Sequence, residues 1–388
     1  MSLVWALVMA ALLAGIVLFG LVLRSRNMHL WLVDYMSGRR QRVSGRPVHV
    51  LFCFVDHYEP MWGGADQETE SRRVDRWVKD YPALAARHAD AEGRPPQHTF
   101  FYPEEEYRHE HLEKLAKLCE QGFGEVEIHL HHDNDTAQGL RAKLDGFLNT
   151  LDREHGLVPR HEDGRYAWSF IHGNWALDNS RKDGRWCGVD NELAVLSDMG
   201  CYADFTLPSA PSDTQTAWVN RIYYARGRDG QCKSHNRGEP VRRGCAPSGD
   251  LMLIQGPLML NWKDRKFGLM PRIENSDIRR SMPPTPERVD LWVKAGISIE
   301  GRPDWLFIKI HTHGTQDGDM DTLLGEPAEQ MFSYLESRYN DGKNYQLHYV
   351  NAREMYNIAR AAEAGKSGNP SQWRDFIIDR PPRLKTTR

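Results

Sequence analysis

Four polar clusters stand at the ends of apolar runs in this 388-residue chain, built from residue types that bind metal ions and move protons. The first is Val55-Asp56-His57-Tyr58-Glu59 and the second His129-Leu130-His131-His132-Asp133-Asn134-Asp135. The third is His172-Gly173-Asn174-Trp175 and the fourth His311-Thr312-His313-Gly314. In an extended strand, residues i and i+2 point to one side, so His129 and His131 face one way, as do His311 and His313. Imidazoles and carboxylates converging on one rim are the donor set of a Zn, Fe, Co or Mn site. A single strand-end histidine is usually a hydrogen-bonded rim or core residue. Four clusters in the same position make the constellation the signal.

The elements that must position these groups alternate along the chain. Apolar runs at 48–55, 98–102, 125–131, 166–172, 202–207, 251–260, 305–311 and 345–350 read as strands. The spacing of Val74, Trp77, Val78, Tyr81 and Leu84 predicts a helix over 70–87. Further helices are expected over 110–121, with Gly122 at its C-cap, and over 135–151, 191–199 and 326–339. Asn351 and Glu354 form a capping-box pair that opens a last helix. Residues 209–250 read as a long, polar, irregular insertion. Strand–helix alternation implies a mostly parallel sheet covered by helices, with catalytic groups at the carboxyl ends of its strands.

With Lys+Arg 50 against Asp+Glu 53, the net charge of −3 gives no positive field to displace counterions from phosphates, which argues against a nucleic-acid partner. Leu3 to Leu23 carries no charge. At about 1.5 Å per residue it spans roughly 30 Å, the depth of a bilayer's hydrocarbon core. Neither a leading cationic region nor a small-residue cleavage site accompanies it, so a retained transmembrane helix is expected rather than a signal peptide. Arg24, Arg26, Arg39, Arg40, Arg42 and Arg46 follow the span, which places the body on the cytoplasmic side of what reads as a bacterial inner membrane, the periplasm being the other option. Residues 28–36 read either as an interfacial helix or as part of the body. The six cysteines show no CxxC spacing.

The HxHxD run alone leaves several readings open. Metallo-β-lactamase-like hydrolases use a similar run but need a histidine where Asn134 stands, and amidohydrolase-like barrels place HxH on the first strand rather than the third. In order, the features resemble the polysaccharide deacetylase family, the chitooligosaccharide-deacetylase-like carbohydrate esterases. Asp56-His57 matches that family's opening pair of acids, and Thr99-Phe100-Phe101 its next strand. Glu127-Ile128-His129-Leu130-His131 matches its E-I-x-L-H strand, with Asp135 at the following ligand position. Asn191 to Leu196, Gly200 and Ala203-Asp204-Phe205 resemble the helix and strand after its third motif, Ile310-His311-Thr312 its last, and Tyr345 to Glu354 its closing strand and helix. His57 and Asp135 exchange the usual ligand types, and His172 and Asn174 stand where an Arg and a Pro are usual.

The resemblance implies an α/β fold, a distorted and mostly parallel (β/α) barrel over 47–365 with the insertion at 209–250. It would be preceded by a transmembrane anchor (1–24) and a juxtamembrane segment (25–46), and followed by a tail (366–388). It implies a divalent metal, zinc first and Co, Fe or Mn otherwise, held by His57, His131 and Asp135. Asp56 would be the general base, and His311 would protonate the departing amine, with His313 as substitute. His172, Asn174 and Trp175 would line the substrate site, Trp175 stacking on a pyranose and amides near Gly173 assisting the oxyanion. The implied activity is N-deacetylation of a polysaccharide or lipid-linked sugar. The alternatives are a non-catalytic glycan-binding subunit of a membrane polysaccharide-synthesis complex, and another metallohydrolase acting on a phosphoester or cyclic amide.

Overall fold

Burial on both faces makes the strands near-continuous apolar runs, and the computed structural model, which describes residues 3–38, 41, 45–228 and 230–385, joins them into one sheet. Arg39, Arg40 and Arg42, and the last three residues of the tail, lie outside the described residues. The strands are β1 (Val48–His57), β2 (His98–Pro103), β3 (Gly124–Leu130), β4 (Trp168–His172), β5 (Cys201–Asp204), β6 (Ile222–Ala225) and β7 (Glu239–Pro240). They continue as β8 (Leu251–Ile254), β9 (Met259–Lys266), β10 (Met270–Glu274), β11 (Asp277–Ile278), β12 (Trp305–Thr312) and β13 (Tyr345–Val350). The helices are α1 (Leu3–Ser25), α2 (Leu32–Ser37), α3 (Gln67–Ala85), α4 (His109–Glu120) and α5 (Ala137–Arg153). After them come α6 (Glu192–Asp198), α7 (Pro286–Ala295), α8 (Asp317–Leu323), α9 (Glu326–Tyr339) and α10 (Ala352–Glu363).

The sheet runs β11-β12-β1-β2-β3-β4-β5-β8-β6-β7, with β13 also paired to β1, while β9 and β10 form a separate hairpin. From β11 to β8 every ladder is parallel; β6 then returns antiparallel to β8, and β7 antiparallel to β6. Strand order is therefore mixed. Among the described residues no ladder joins β11 to β7, so the expected barrel is not closed. The edge strand β7 has two residues, one of them Pro240, which lacks the N–H needed to carry the ladder further. The 209–250 stretch is less irregular than its composition suggests, because its Ile222-Tyr-Tyr-Ala225 run enters the sheet fully buried.

The pleat sorts the side chains. Val50, Phe52 and Phe54 of β1, Val126, Ile128 and Leu130 of β3, and Leu306, Ile308 and Ile310 of β12 pack with α3, α4, α5, α6, α7 and α9. Leu51, Cys53 and Val55 of β1, Ile171 of β4 and Phe307 of β12 face the other way, onto α10. α10 begins with the capping box expected at Asn351 and Glu354. Its Arg353, fully buried, forms a two-pronged bond to Glu125 of β3 at 2.8 Å on each prong.

Over residues 7–21 α1 is apolar and exposed, which suits a membrane anchor or a signal sequence. The chain after it is built into the body. Met28 and Trp31 bury against Ala210, Val219, Leu258 and Leu260, and Asp34 pairs with Arg221 at 2.5 Å.

Candidate metal centre

The strand-end groups divide by face. Counting back by twos from His129 of β3 gives Glu127 and Glu125 on the α10 side, and from His311 of β12 gives Lys309 and Phe307 on the same side. His57 ends β1 on that side as well, and these three strands therefore deliver His57, His129, His131, His311 and His313 to one rim. Asp56 and His172 fall on the opposite face.

Glu59 is the centre of the rim. Its carboxylate lies 3.2 Å from His129 Nε2, 3.0 Å from His131 Nε2 and 3.1 Å from His313 Nδ1. The second nitrogens of the first two rings are tied down. His129 Nδ1 donates to the Ile171 carbonyl at 2.9 Å, and His131 Nδ1 meets Glu105 at 2.5 Å. A carbonyl and a carboxylate behind the ring are the outer partners that orient metal-binding histidines. His57 stacks on His313 with centroids 4.6 Å apart, lies edge-on to His129 at 4.8 Å, and leaves its buried Nδ1 without a partner.

These residues fit a divalent ion. The Ile171 carbonyl can only accept, so His129 carries its proton on Nδ1 and turns a lone pair toward a carboxylate oxygen. Burial lowers His129 further, opposing a second proton on the ring. Two electron-rich atoms 3.2 Å apart in a buried site call for a cation between them. Burial pushes the Glu59 carboxyl up, but the bonds from His131 and His313 oppose it, and Glu59 is held well below the usual carboxylate range. Burial likewise lowers His131, yet Glu105 and Glu59 together hold it up to about 10, the mark of a site whose carboxylates favour positive charge at that ring. The groupings of donor atoms at this rim are Glu59, His129 and His131, and Glu59, His57 and His313. Solvent reaches the rim past His131, Glu105 and His313, whose side chains are 30%, 34% and 16% exposed.

The residues singled out in the sequence are distributed as follows. His57 and His131 meet around Glu59. Asp135 does not join them: its carboxylate takes bonds from His132 Nδ1 at 3.1 Å and Lys143 at 2.7 Å, beyond the turn that follows β3. Asp56 is fully buried against the helical layer, with one oxygen 2.9 Å from His98 Nε2 and the other accepting from the Gly314 amide at 2.6 Å. His311 lies at the rim, its ring 6.3 Å from that of His57, and burial pushes it well below the ordinary histidine range. His172 is on the far face with His132. The Asn174 amide bonds to His172 Nδ1 at 3.2 Å. Trp175 crosses back to the rim, 5.5 Å from the His57 ring and 5.6 Å from that of His313. Sequence reasoning passed over Glu59, Glu105 and His129 as site residues. The available signal was the two-residue period, which puts Glu59 with His57 and His129 with His131.

No protein-family model matches the chain, and no curated protein does. Among solved structures, one described as a "putative polysaccharide deacetylase" from Mycobacterium smegmatis aligns at 11% identity with a TM-score of 0.41, over 86% of this chain and 97% of that one. At that distance the likeness carries no inference about chemistry. What stands on this chain's own residues is a set of buried histidine and carboxylate clusters suited to a metal-binding active site, on an α/β sheet with one apolar N-terminal helix.

Proposed function

We propose that the chain is a membrane-anchored, metal-dependent hydrolase that removes N-acetyl groups from a polysaccharide or lipid-linked sugar. The observation that carries the reading is the convergence of His129 Nε2 and His131 Nε2 on the Glu59 carboxylate, with both outer nitrogens tied to acceptors. Glu59, His129 and His131 would hold the ion, zinc first by donor type, with Co, Fe or Mn as alternatives. When bound, such an ion polarises a carbonyl and acidifies water. The order of motifs in the sequence supplies the acetamide substrate, and the same reading takes the open sheet over 47–365 as a distorted relative of the deacetylase barrel.

The neighbouring imidazoles divide the proton traffic. Burial, aided by the adjacent imidazoles, lowers His57 well below the ordinary range and keeps it neutral, as a base must be. Burial lowers His313 too, but the bond to Glu59 wins and raises it, the direction that suits a proton donor to the departing amine. Asp56 acts through Gly314, fixing the turn that bears His313, and His311 packs beneath them. Trp175, with Trp62 whose ring is 6.0 Å from His313, offers aromatic faces to a sugar ring.

α1 would span the bilayer, with the docked segment around Trp31 holding the body at its surface. Arg24, Arg26 and Arg46 favour a cytoplasmic body acting on a lipid-linked sugar. Full-length protein should contain divalent metal and deacetylate N-acetylated oligosaccharides, and Glu59→Gln and His131→Ala should abolish the activity and weaken metal binding at the rim. Activity surviving both substitutions would refute the proposal. Glycan binding by a metal-free, inactive but folded protein would instead support the non-catalytic subunit. A reporter fused at the C-terminus reads the side of the membrane.

A further inference from the structure

A second group of donors lies behind the rim, on the helical face of the sheet. His132 follows His131 but points the opposite way, and His132 Nε2 sits 3.1 Å from His172 Nε2 and 3.1 Å from Glu192 Oε1. His172 Nε2 is 3.9 Å from Glu192 Oε1, and Cys187 Sγ is 3.5 Å from Glu192 Oε2. All four residues are buried, with their donor atoms within 4.8 Å of one another. Metal–ligand bonds of about 2.0–2.3 Å give tetrahedral edges of about 3.3–3.6 Å. The His132, His172 and Glu192 donors already stand near those separations, and the Cys187 thiol lies within 4.8 Å of each. We propose that His132, His172, Cys187 and Glu192 form a structural zinc site, separate from the rim centre.

Donor type and closure both favour zinc in a structural role. One thiolate, two imidazoles and a carboxylate form a borderline-soft, four-donor set, and their complete burial leaves no position for substrate, whereas the rim is open to solvent. Outer partners are in place: Asp135 backs His132 Nδ1 at 3.1 Å, and the Asp178 amide donates to Glu192 Oε2 at 2.6 Å. Binding releases the thiol proton of Cys187 and moves the His172 proton to Nδ1, so the 3.2 Å bond from the half-buried Asn174 amide is given up. The ligands close the 173–191 loop at both ends, His172 before it and Cys187 and Glu192 at its far side. That loop holds four residues other than glycine at positive φ, Trp175, Asp178, Asn179 and Trp186, and it brings Trp175 to the rim. An ion here offsets that backbone strain and fixes Trp175.

Cysteine separates this site from the rim, whose donors include none. Full-length protein loaded with cobalt(II) should show a thiolate-to-metal charge-transfer absorption that is retained in Glu59→Gln and lost in Cys187→Ser, with Cys232 and Cys245 replaced by serine throughout. Zinc X-ray absorption of the wild-type protein should contain a sulfur scatterer, a measurement that does not depend on any variant folding. Stripping the metal should speed tryptic cleavage at Arg181, Lys182 or Arg185 by about tenfold. No sulfur scatterer in the zinc protein, or a cobalt–thiolate band that survives Cys187→Ser, overturns the proposal. Loss of rim metal in Glu59→Gln with the band intact shows that the two sites stand or fall separately.

Discussion

Glu105 is the most accessible test of how the rim is wired. Its carboxylate accepts from His131 Nδ1 at 2.5 Å and from the His131 amide at 3.0 Å, while the other ring nitrogen faces Glu59. Glu105→Gln leaves an amide oxygen that can still accept, so the ring stays in place but loses a negative charge behind it. Substitutions of this kind behind metal-bound histidines weaken affinity by about 10–100-fold, or roughly 1.4–2.7 kcal/mol. Fold stability should change little, by under about 1 kcal/mol, because a third of the Glu105 side chain is exposed to solvent. Competition against a fluorescent zinc chelator reads the affinity, and calorimetric melting of the stripped protein reads the stability. In a double-mutant cycle with His131→Ala, the Glu105→Gln effect should vanish, since the carboxylate acts only through that ring. An affinity within twofold of wild type, or an effect that persists when His131 is absent, would refute the claim that His131 binds metal through Nε2.

Three further outcomes follow from the packing. Asp56→Ala should cost about 3–5 kcal/mol, because it strands the buried His98 ring and the Gly314 amide, whereas Asp56→Asn keeps both bonds and should cost under about 2; denaturant melts distinguish them. Burial raises Glu354, but Arg94, Arg374 and Arg353 overcome it and hold its carboxyl at about 2 instead of 4.5. The unfolded chain therefore binds this proton first, and stability on the order of 3 kcal/mol, complete above pH 4.5, is lost as the pH falls toward 2; Glu354→Gln should flatten that acid limb. Trp31→Ala empties a fully buried site beside Val219 and Leu258, and should expose the segment after α1 to protease while leaving the melting of the body within about 1 kcal/mol.

Much of the central sheet was legible because its strands are apolar runs and its helices carry regular spacing. β1, β3, β12 and β13 lie where their sequences placed them, and the Asn351–Glu354 capping box opens α10 as expected. α7 was passed over although Thr285, Pro286 and Gly296 mark its two ends, and β6 was hidden inside a polar stretch. At the rim the two-residue spacing held one step past the strand: His129 of β3 and the next residue after its end, His131, share a face. Farther past a strand's end the spacing stops deciding: Asp135 turns away with the loop, whereas Glu59, two residues after β1, keeps the side of His57. The opposed faces of Asp56 and His57 follow from the pleat alone. Which face carries the rim depends on how strands distant in sequence pack, and no local pattern records that.

Anomalous scattering from crystals of the full-length protein, collected above and below the zinc edge, addresses the rim most directly. The predicted result is a peak within about 2.0–2.2 Å of His129 Nε2, His131 Nε2 and a Glu59 oxygen. A folded protein whose rim shows no peak after zinc loading, even with metal present at the Cys187 cluster, would contradict it.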